Sequence, residues 1–171
     1  LGVLGLGKLG SAVAKVGLAF GMDVIAWSQN LTDERAAEVG VRRVDMDTLM
    51  SQSDYISIHL ILSDRSRGLI GADDLARMKS SAYLVNTSRG PIVDQDALLK
   101  ALQDRQIAGA GIDVYSVEPL PADSPFRTLD NVLLTPHMGY VATDNISKMY
   151  SDAAEDIAAF LDGDPVRVLN G

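Results

Sequence analysis

The amino-acid sequence predicts an α/β fold built on a doubly wound parallel sheet. Two observations carry this prediction. Apolar runs alternate with amphipathic helical patterns along the whole chain, as expected when each strand is followed by a crossover helix. The run at residues 54–62 is almost continuously apolar, which is typical of a central parallel strand covered on both faces. The right-handed crossover rule leaves few topologies, and ligands in such folds bind at the carboxyl ends of the strands.

The chain begins with a strand, a glycine turn and a helix. Residues 1–4 are mostly apolar and lead into Gly5-x-Gly7-x-x-Gly10; one face of the helical pattern that follows is formed by Leu9, Val13, Val16, Gly17 and Phe20. Gly5 permits the tight turn, Gly7 lets a phosphate approach the backbone, and Gly10 lets the helix pack close to the strand. The helix N-terminus would then face the pyrophosphate of a dinucleotide, as in Rossmann-type domains. The alternative is a strand-to-helix turn that holds no ligand.

The remaining elements follow in alternation. Further strands are predicted at residues 22–27, 41–44, 54–62, 82–86, 107–114 and 132–135. Helices are predicted from the N-cap Thr32 to Gly40, at residues 45–52 and 73–79, from the N-cap Asp94 to about Arg105, and at residues 143–161. Residues 115–129 contain three prolines and are predicted to be an extended loop. The last helix is predicted to bury one apolar stripe, formed by Ile146, Met149, Tyr150, Ala153, Ile157 and Leu161.

Composition narrows the possible functions. The chain has 171 residues, of which 47% are hydrophobic, so it is a globular chain with the length of one large domain or two very small ones. The formal charge of −8 and the lack of a basic cluster argue against nucleic acid as a ligand. The absence of cysteine excludes disulfides and thiolate catalysis, and two histidines make a histidine-rich metal site improbable. With no apolar run of bilayer length and no signal peptide in view, we expect a cytoplasmic protein that does not bind membranes.

Polar residues follow three successive strands at the sheet edge that carries the glycine turn. Arg89 follows the fifth strand, Asp113 ends the sixth with Glu118 five residues later, and His137 follows the seventh. Alone, Arg89 could be a solvated loop arginine and His137 a structural histidine. Together they suit oxidation of a 2-hydroxy acid: Glu118 would hold the imidazole and favour its protonated form, and the arginine would bind a carboxylate. For His59, inside an apolar strand, a structural role is the favoured interpretation, with the cofactor cleft as the alternative.

Four stretches, GLGKLG, LVNTSRGPIVD, AGIDVYSVEP and LLTPHMG, resemble the nucleotide-binding domain of the D-isomer-specific 2-hydroxyacid dehydrogenases. The resemblance implies an enzyme that transfers hydride between NAD or NADP and a small 2-oxo or 2-hydroxy acid, and that forms a homodimer. It implies that Arg89 binds the substrate carboxylate and that Glu118 and His137 form the acid/base pair. It also implies a cofactor site made of Gly5, Gly7, Lys8, Leu9, Gly10, Ser28, Gln29, Asn30, His59, Leu60, Thr87, Ser88, Arg89, Asp113, His137 and Gly139.

The chain departs from the family pattern in two ways. NAD-binding members carry an acid at the end of the second strand, and Ser28 occupies that position here. Loss of the acid removes repulsion against a ribose 2′-phosphate, and Arg35, Arg42 or Arg43 could reach that group, so the choice between NAD and NADP stays open. The second domain that closes over the substrate in the family is missing, so we expect residues 1–171 to be an excised dinucleotide-binding domain. The competing interpretations are a nucleotide-sensing module like the C-terminal-binding-protein corepressors, and a cofactor-binding fragment without activity.

Overall fold

The computed structural model describes residues 1–169, and the chain divides into two compact units, Leu1–His137 and Met138–Gly171. The first unit holds the whole sheet together with five α-helices, and the second holds the long C-terminal helix. The two units are described separately below.

The sheet of the first unit is entirely parallel. Its strands are β1 (Gly2–Leu4), β2 (Ile25–Trp27), β3 (Arg42–Arg43), β4 (Tyr55–Ile58), β5 (Tyr83–Asn86), β6 (Gly109–Ile112) and β7 (Val132–Leu134). Within residues 1–169 these seven strands are ordered β3-β2-β1-β4-β5-β6-β7. The order reverses between β1 and β4, which makes this the doubly wound sheet predicted from the sequence, with its switch point beside the glycine turn.

The connecting helices begin at the predicted places. They are α1 (Lys8–Ala19), α2 (Asp33–Val39), α3 (Met46–Gln52), α4 (Ala72–Arg77) and α5 (Gln95–Gln103), and two short 3₁₀ turns lie at Gly90–Ile92 and Pro125–Thr128. Thr32 caps α2 by accepting a hydrogen bond from the Arg35 N–H, and Asp94 caps α5 by accepting from two N–H groups. Gly40 ends α2 at φ 83°, a left-handed conformation that glycine adopts without strain.

Helices cover the two faces of the sheet over two separate apolar clusters. The larger cluster includes Leu49, Leu75 and Leu102 from α3, α4 and α5, packed against Ile56 and Leu84 of the central strands. The smaller cluster lies under α1 and α2. The paired strand segments are shorter than the predicted apolar runs, because several residues of those runs, such as those that follow Ile58, leave the sheet to form its ligand-binding edge.

Apart from Gly17, the apolar face that the sequence pattern gives α1 is not the face that packs against the sheet. Leu9, Val16 and Phe20 are exposed, and the residues that face the sheet are Gly10, Ala14 and Gly17. The physical reason is the close approach of the helix to β1: a Cβ on Gly10 would overlap the carbonyl oxygen of Gly5. Only small residues fit at this distance, so the large apolar side chains are turned outward.

The second unit contains α6 (Thr143–Leu161), at the bounds that the sequence predicts. The predicted burial of its apolar stripe was wrong, because Met149, Tyr150, Ile157 and Leu161 are exposed and no residue of the helix is buried. Within residues 138–169 no second helix or strand is present against which this stripe could pack. A helix that buries no apolar face gains little from the hydrophobic effect in that arrangement.

Candidate cofactor and catalytic site

The glycine turn has the geometry of a phosphate cradle. Gly5 has φ +102°, and a Cβ at this residue would lie 2.7 Å from the carbonyl oxygen of His59. A Cβ on Gly7 would meet no atom within 4 Å, so the first turn of α1 is open to an approaching ligand. The unpaired N–H groups at a helix start bind anions. The residues present therefore fit a dinucleotide pyrophosphate, and exposed Lys8 stands at the first position of the helix.

A cavity of about 520 Å³ opens beside this turn, which is a usual size for a ligand site. It lies between the ends of β1, β2 and β4, where the adenosine half of a dinucleotide binds in this fold. Five residues of the predicted cofactor site outside the glycine turn line it: Ser28, Gln29, Asn30, His59 and Leu60. The only tryptophan of the chain, Trp27, is also part of the lining and supplies a spectroscopic probe.

Ser28 is hydrogen-bonded to the glycine turn, and only one of the three candidate arginines lines the cavity. The Ser28 hydroxyl accepts a hydrogen bond of 2.9 Å from the Leu6 N–H. Arg35 lines the cavity, whereas Arg42 and Arg43 do not, and Arg43 lies 3.6 Å from an Asp33 oxygen. The cavity also contains Arg65, which the sequence interpretation did not single out.

His59 lies just beyond the end of β4, so its placement inside the strand was wrong. Its backbone N–H donates to the Leu4 carbonyl at 2.7 Å, and its ring Nε2 is 2.8 Å from the Ser57 hydroxyl. Burial lowers the pKa of the imidazole from its usual value. The side chain lines the adenosine-side cavity and also a neighbouring one of about 440 Å³ that contains Leu9, Thr87, Ser88 and Arg89.

The loop after β5 is organised by Asn86, which the sequence interpretation overlooked. This side chain is 3% exposed; its oxygen accepts from the Ser88 N–H and its amide nitrogen donates to the Arg89 carbonyl. The Ser88 hydroxyl donates to the Leu60 carbonyl and so joins the loops that follow β4 and β5. Arg89 is exposed, and its Nη1 donates to the Ser88 carbonyl at 2.6 Å. An asparagine at the end of an apolar strand, before a turn, is the signal that could have found this residue.

Gly90 brings the loop of Arg89 against the loop of Glu118. A Cβ on Gly90 would lie 2.6 Å from the Ser116 nitrogen and would overlap the Tyr115 carbonyl. The Ser116 N–H also donates to the Gln95 side chain at 3.0 Å, which ties the second loop to the start of α5. Contact between loops that are distant in sequence leaves no local signal beyond the glycine itself.

Glu118 and His137 form a hydrogen-bonded pair, with Glu118 Oε2 2.7 Å from His137 Nδ1. The other carboxylate oxygen accepts from the Tyr115 N–H at 2.9 Å. These hydrogen bonds, first the one with His137, lower the pKa of Glu118 although partial burial acts in the opposite direction. His137 has φ 53°, a left-handed conformation that is uncommon for residues other than glycine and concentrates at functional sites. The pair can hold a proton at the imidazole beside a fixed negative charge.

Asp113 lies at the end of β6 and is 4% exposed. The Thr135 hydroxyl donates to its carboxylate at 2.5 Å, and its own N–H donates to the Asn86 carbonyl. The Tyr115 hydroxyl lies 2.9 Å from the Thr135 carbonyl, and burial raises the pKa of this tyrosine. Asp113 therefore sits in a rigid network that spans the ends of three strands. Gly139 belongs to the unit that begins at Met138, so its cofactor contact stays a prediction.

Residues 1–169 lack two kinds of feature. No cluster of three or more histidine, cysteine or acidic side chains could hold a metal ion there. In the same part of the chain, no helix is both long and apolar enough to cross a membrane.

The sheet, the glycine turn and the cavities at one edge define a dinucleotide-binding domain. The family model described as "D-isomer specific 2-hydroxyacid dehydrogenase, NAD binding domain" matches residues 1–139, and the chain belongs to this family. NAD(P) is accordingly the cofactor class of the domain, as the sequence resemblance implied.

Individual relatives agree with this assignment. A glyoxylate reductase from Korarchaeum cryptofilum is 41% identical over 171 residues, which is 99% of this chain and 52% of the relative. The crystal structure of an oxidoreductase from Ralstonia solanacearum matches with a TM-score of 0.93 and 37% identity, over 99% of this chain and 50% of that one. A D-isomer specific 2-hydroxyacid dehydrogenase from Xanthobacter autotrophicus, in complex with NADPH, matches with a TM-score of 0.79 and 37% identity, over 98% and 68%. The chain thus spans about half the length of the curated relative.

Proposed function

We propose that residues 1–171 are the dinucleotide-binding domain of an NAD(P)-dependent enzyme that interconverts 2-oxo acids and D-2-hydroxy acids. The observation that carries the proposal is the 2.7 Å contact of Glu118 with His137, at the same sheet edge as the open glycine turn. A substrate-covering domain elsewhere in the complete protein would close this edge. The names of the relatives, which include a glyoxylate reductase, support the substrate class.

His137 is the proposed acid and base. Its Nδ1 faces Glu118, so Nε2 is the atom that exchanges a proton with the substrate oxygen. During reduction this nitrogen donates its proton to the carbonyl oxygen at C2, and during oxidation it takes the proton from the hydroxyl. The bound nicotinamide supplies or accepts the hydride at the same carbon. Glu118 fixes the ring orientation and stabilises the imidazolium by its negative charge.

Arg89 is the proposed partner of the substrate carboxylate. A guanidinium can bind a carboxylate through two parallel hydrogen bonds, which fixes the orientation of the acid as well as its position. The Arg89 charge also acts on Glu118, where it is one of the minor causes of the lowered pKa. Asp113, at the end of β6, is assigned to the nicotinamide side of the cofactor, and its network with Thr135 would hold it in place.

Cofactor binding is tested with a substitution that leaves the fold intact. A valine at Gly7 enters space where a Cβ meets no protein atom, so Gly7→Val should abolish NADH and NADPH binding while the chain stays folded. Binding is followed by quenching of Trp27 fluorescence. Gly71→Val is the matched control, because a Cβ there also meets no atom within 4 Å and Gly71 lines neither of the two cavities described above. Equal affinity of Gly7→Val and wild type would refute the assigned cofactor site.

We also propose that the protein acts as a homodimer. Tyr55 and Tyr83 stack with ring centroids 5.6 Å apart on one face of the sheet, and Leu133 is exposed on the same face. Exposed apolar groups on a sheet face favour association with another surface. Light scattering should give a dimer mass for wild type, and Leu133→Glu should shift it towards the monomer. A monomer mass for wild type at assay concentration would contradict the proposal.

A cytoplasmic location is proposed for the enzyme. Its support is the need for a pool of soluble nicotinamide cofactor that supplies or accepts hydride in each turnover. Cell fractionation followed by detection of the protein would test this location, and recovery outside the cytoplasmic fraction would contradict it.

A further inference from the structure

The adenosine-side cavity is lined by two arginines and, within the described residues, by no carboxylate. Arg35 enters it from α2 and Arg65 from the loop that follows β4. The acidic residues of the first turn of α2, Asp33 and Glu34, do not belong to the lining. The cavity therefore presents positive charge at the place where a dinucleotide puts its adenosine ribose.

Arg65 is carried by a tight and well-bonded turn. The Ser63 N–H donates to the hydroxyl of Ser66 at 2.8 Å, and that hydroxyl in turn donates to the Ile61 carbonyl at 2.7 Å. The Arg67 N–H donates back to the Ser63 carbonyl at 2.9 Å. Ser66 is 6% exposed and, like Ser63, lines the cavity. The backbone at Arg65 is thus fixed next to the cavity, which lowers the entropy lost when the side chain binds an anion.

The two arginines differ in their present partners. Arg35 lies 2.7 Å from a Glu38 oxygen on the exposed surface of α2, so part of its charge is already balanced. Across residues 1–169, no ion pair engages Arg65, although Asp64 precedes it in sequence. The carboxyl group of Asp64 does not line the cavity. Arg65 is consequently the stronger candidate for a charged ligand group.

The end of β2 carries no acid that would select the unphosphorylated ribose. Ser28 occupies the position at which a carboxylate would bind the ribose hydroxyls. Its own hydroxyl accepts a hydrogen bond from the Leu6 N–H. A phosphate at the ribose 2′ position would therefore meet no repelling acid and two attracting guanidinium groups. Charge-assisted hydrogen bonds from arginine to phosphate are among the stronger polar contacts in proteins.

We propose that Arg65, assisted by Arg35, binds a phosphate monoester at the 2′ position of the adenosine ribose and makes the domain select NADP(H) over NAD(H). This inference rests on the proposed cofactor site and adds a specificity-determining residue to it. Arg65 lies in a loop outside the glycine turn, so a substitution there can change the preference for NADP(H) over NAD(H) without abolishing cofactor binding.

The test measures affinity for NADPH, NADH, 2′,5′-ADP and 5′-AMP by the fluorescence of Trp27. Wild type should bind NADPH more tightly than NADH, and 2′,5′-ADP more tightly than 5′-AMP. Each difference should be at least about tenfold, the scale of one charged hydrogen bond. Arg65→Glu should remove most of this ratio while NADH and 5′-AMP affinities change by less than about threefold. The wild-type ratio should also fall as salt is raised from 0.05 to about 0.5 M, because the loop is exposed to solvent.

Arg67→Glu is the matched control. It makes the same change of charge two residues away in the same turn, and Arg67 does not line the cavity. The ratio of NADPH affinity to NADH affinity in Arg67→Glu should stay close to that of wild type. Equal wild-type affinity for NADPH and NADH, or an unchanged ratio in Arg65→Glu, would overturn the inference while the cofactor site stands. Failure of all four ligands to bind would overturn the proposed function itself.

Discussion

The partly buried ring of His59 can report on the site. Among the residues of the chain only two are histidines, so the imidazole signals in a proton NMR spectrum are few and assignable by substitution. Burial favours the neutral ring, because moving a charge out of water is costly. The neutral imidazole lies at the junction of two cavities, where it can donate or accept a hydrogen bond without carrying charge.

The lowered pKa of His59 predicts how stability changes with pH. The folded state should take up its proton below pH 6.5, the usual value that the unfolded state retains. As pH falls below 6.5, the unfolded state binds the proton first, so the stability contributed by neutral His59 is lost down to the folded pKa. An NMR titration should show a midpoint below 6.5 for the signal that disappears in His59→Gln. A midpoint at or above that value would contradict the assignment to burial.

The pairing of Glu118 with His137 predicts that loss of either partner slows catalysis in the proposed full-length enzyme. His137→Ala should lower kcat by at least about 100-fold, the lower range for loss of a general acid. Glu118→Gln keeps a hydrogen-bond acceptor for Nδ1 but removes the negative charge beside the ring, so kcat for 2-oxo acid reduction should also fall, by a smaller factor. Steady-state kinetics of both variants measures the two effects, and an unchanged kcat in Glu118→Gln would count against the pair.

At the scale of the elements, α1 shows where sequence patterns succeed and where they fail. The glycine turn, the start of the helix and the strand before it were predictable, because apolar runs and special glycines are local signals. The buried face was not, because the largest apolar residues were assumed to face the sheet. A helix that approaches a strand closely enough to exclude a Cβ at Gly10 selects small residues instead, and that distance is set by the tertiary structure.

This difference predicts unequal effects on stability for two substitutions in α1. Ala14 is completely buried against the sheet, so Ala14→Leu should overpack the interface and lower the free energy of unfolding by about 1–3 kcal/mol. Val16→Ala, on the exposed side, should change it by less than about 0.5 kcal/mol. Urea denaturation followed by circular dichroism measures both. A larger loss of unfolding free energy in Val16→Ala than in Ala14→Leu would indicate that the large apolar residues of α1 face the sheet after all.

The residues of the candidate site show the same difference between local sequence signals and tertiary contacts. The positions of Arg89, Glu118 and His137 after the ends of strands could be predicted, because each residue belongs to a recognisable motif, and their catalytic roles stay a prediction. Asn86, Gly90 and Arg65 were missed because their importance lies in contacts between loops and in a cavity that no local pattern encodes. The edge of a parallel sheet collects residues from distant parts of the chain, so sequence identifies the contributing loops more readily than the contacts among them.

At the scale of the whole molecule, the exposure of the proposed acid/base pair determines what these residues can do alone. The side chains of Glu118 and His137 are 35% and 36% exposed, so water reaches both partners. Water weakens the attraction between charges, and it competes with the substrate for the same hydrogen bonds. Loss of substrate positioning by itself can cost several kcal/mol of activation free energy. The glyoxylate reductase from Korarchaeum cryptofilum is about twice as long as this chain.

These 171 residues, expressed as they stand, should therefore bind cofactor but show almost no turnover. The assay supplies NADPH or NADH with glyoxylate, hydroxypyruvate or pyruvate and follows the absorbance of the reduced nicotinamide. We expect a rate at least about 100-fold below 1 per second, the lower end of the usual enzyme range. Binding measured in parallel by Trp27 fluorescence separates an inactive holo-domain from one that has lost its cofactor. Turnover of roughly 1–1000 per second would show that the exposed pair suffices, and that catalysis needs no second domain over the sheet edge.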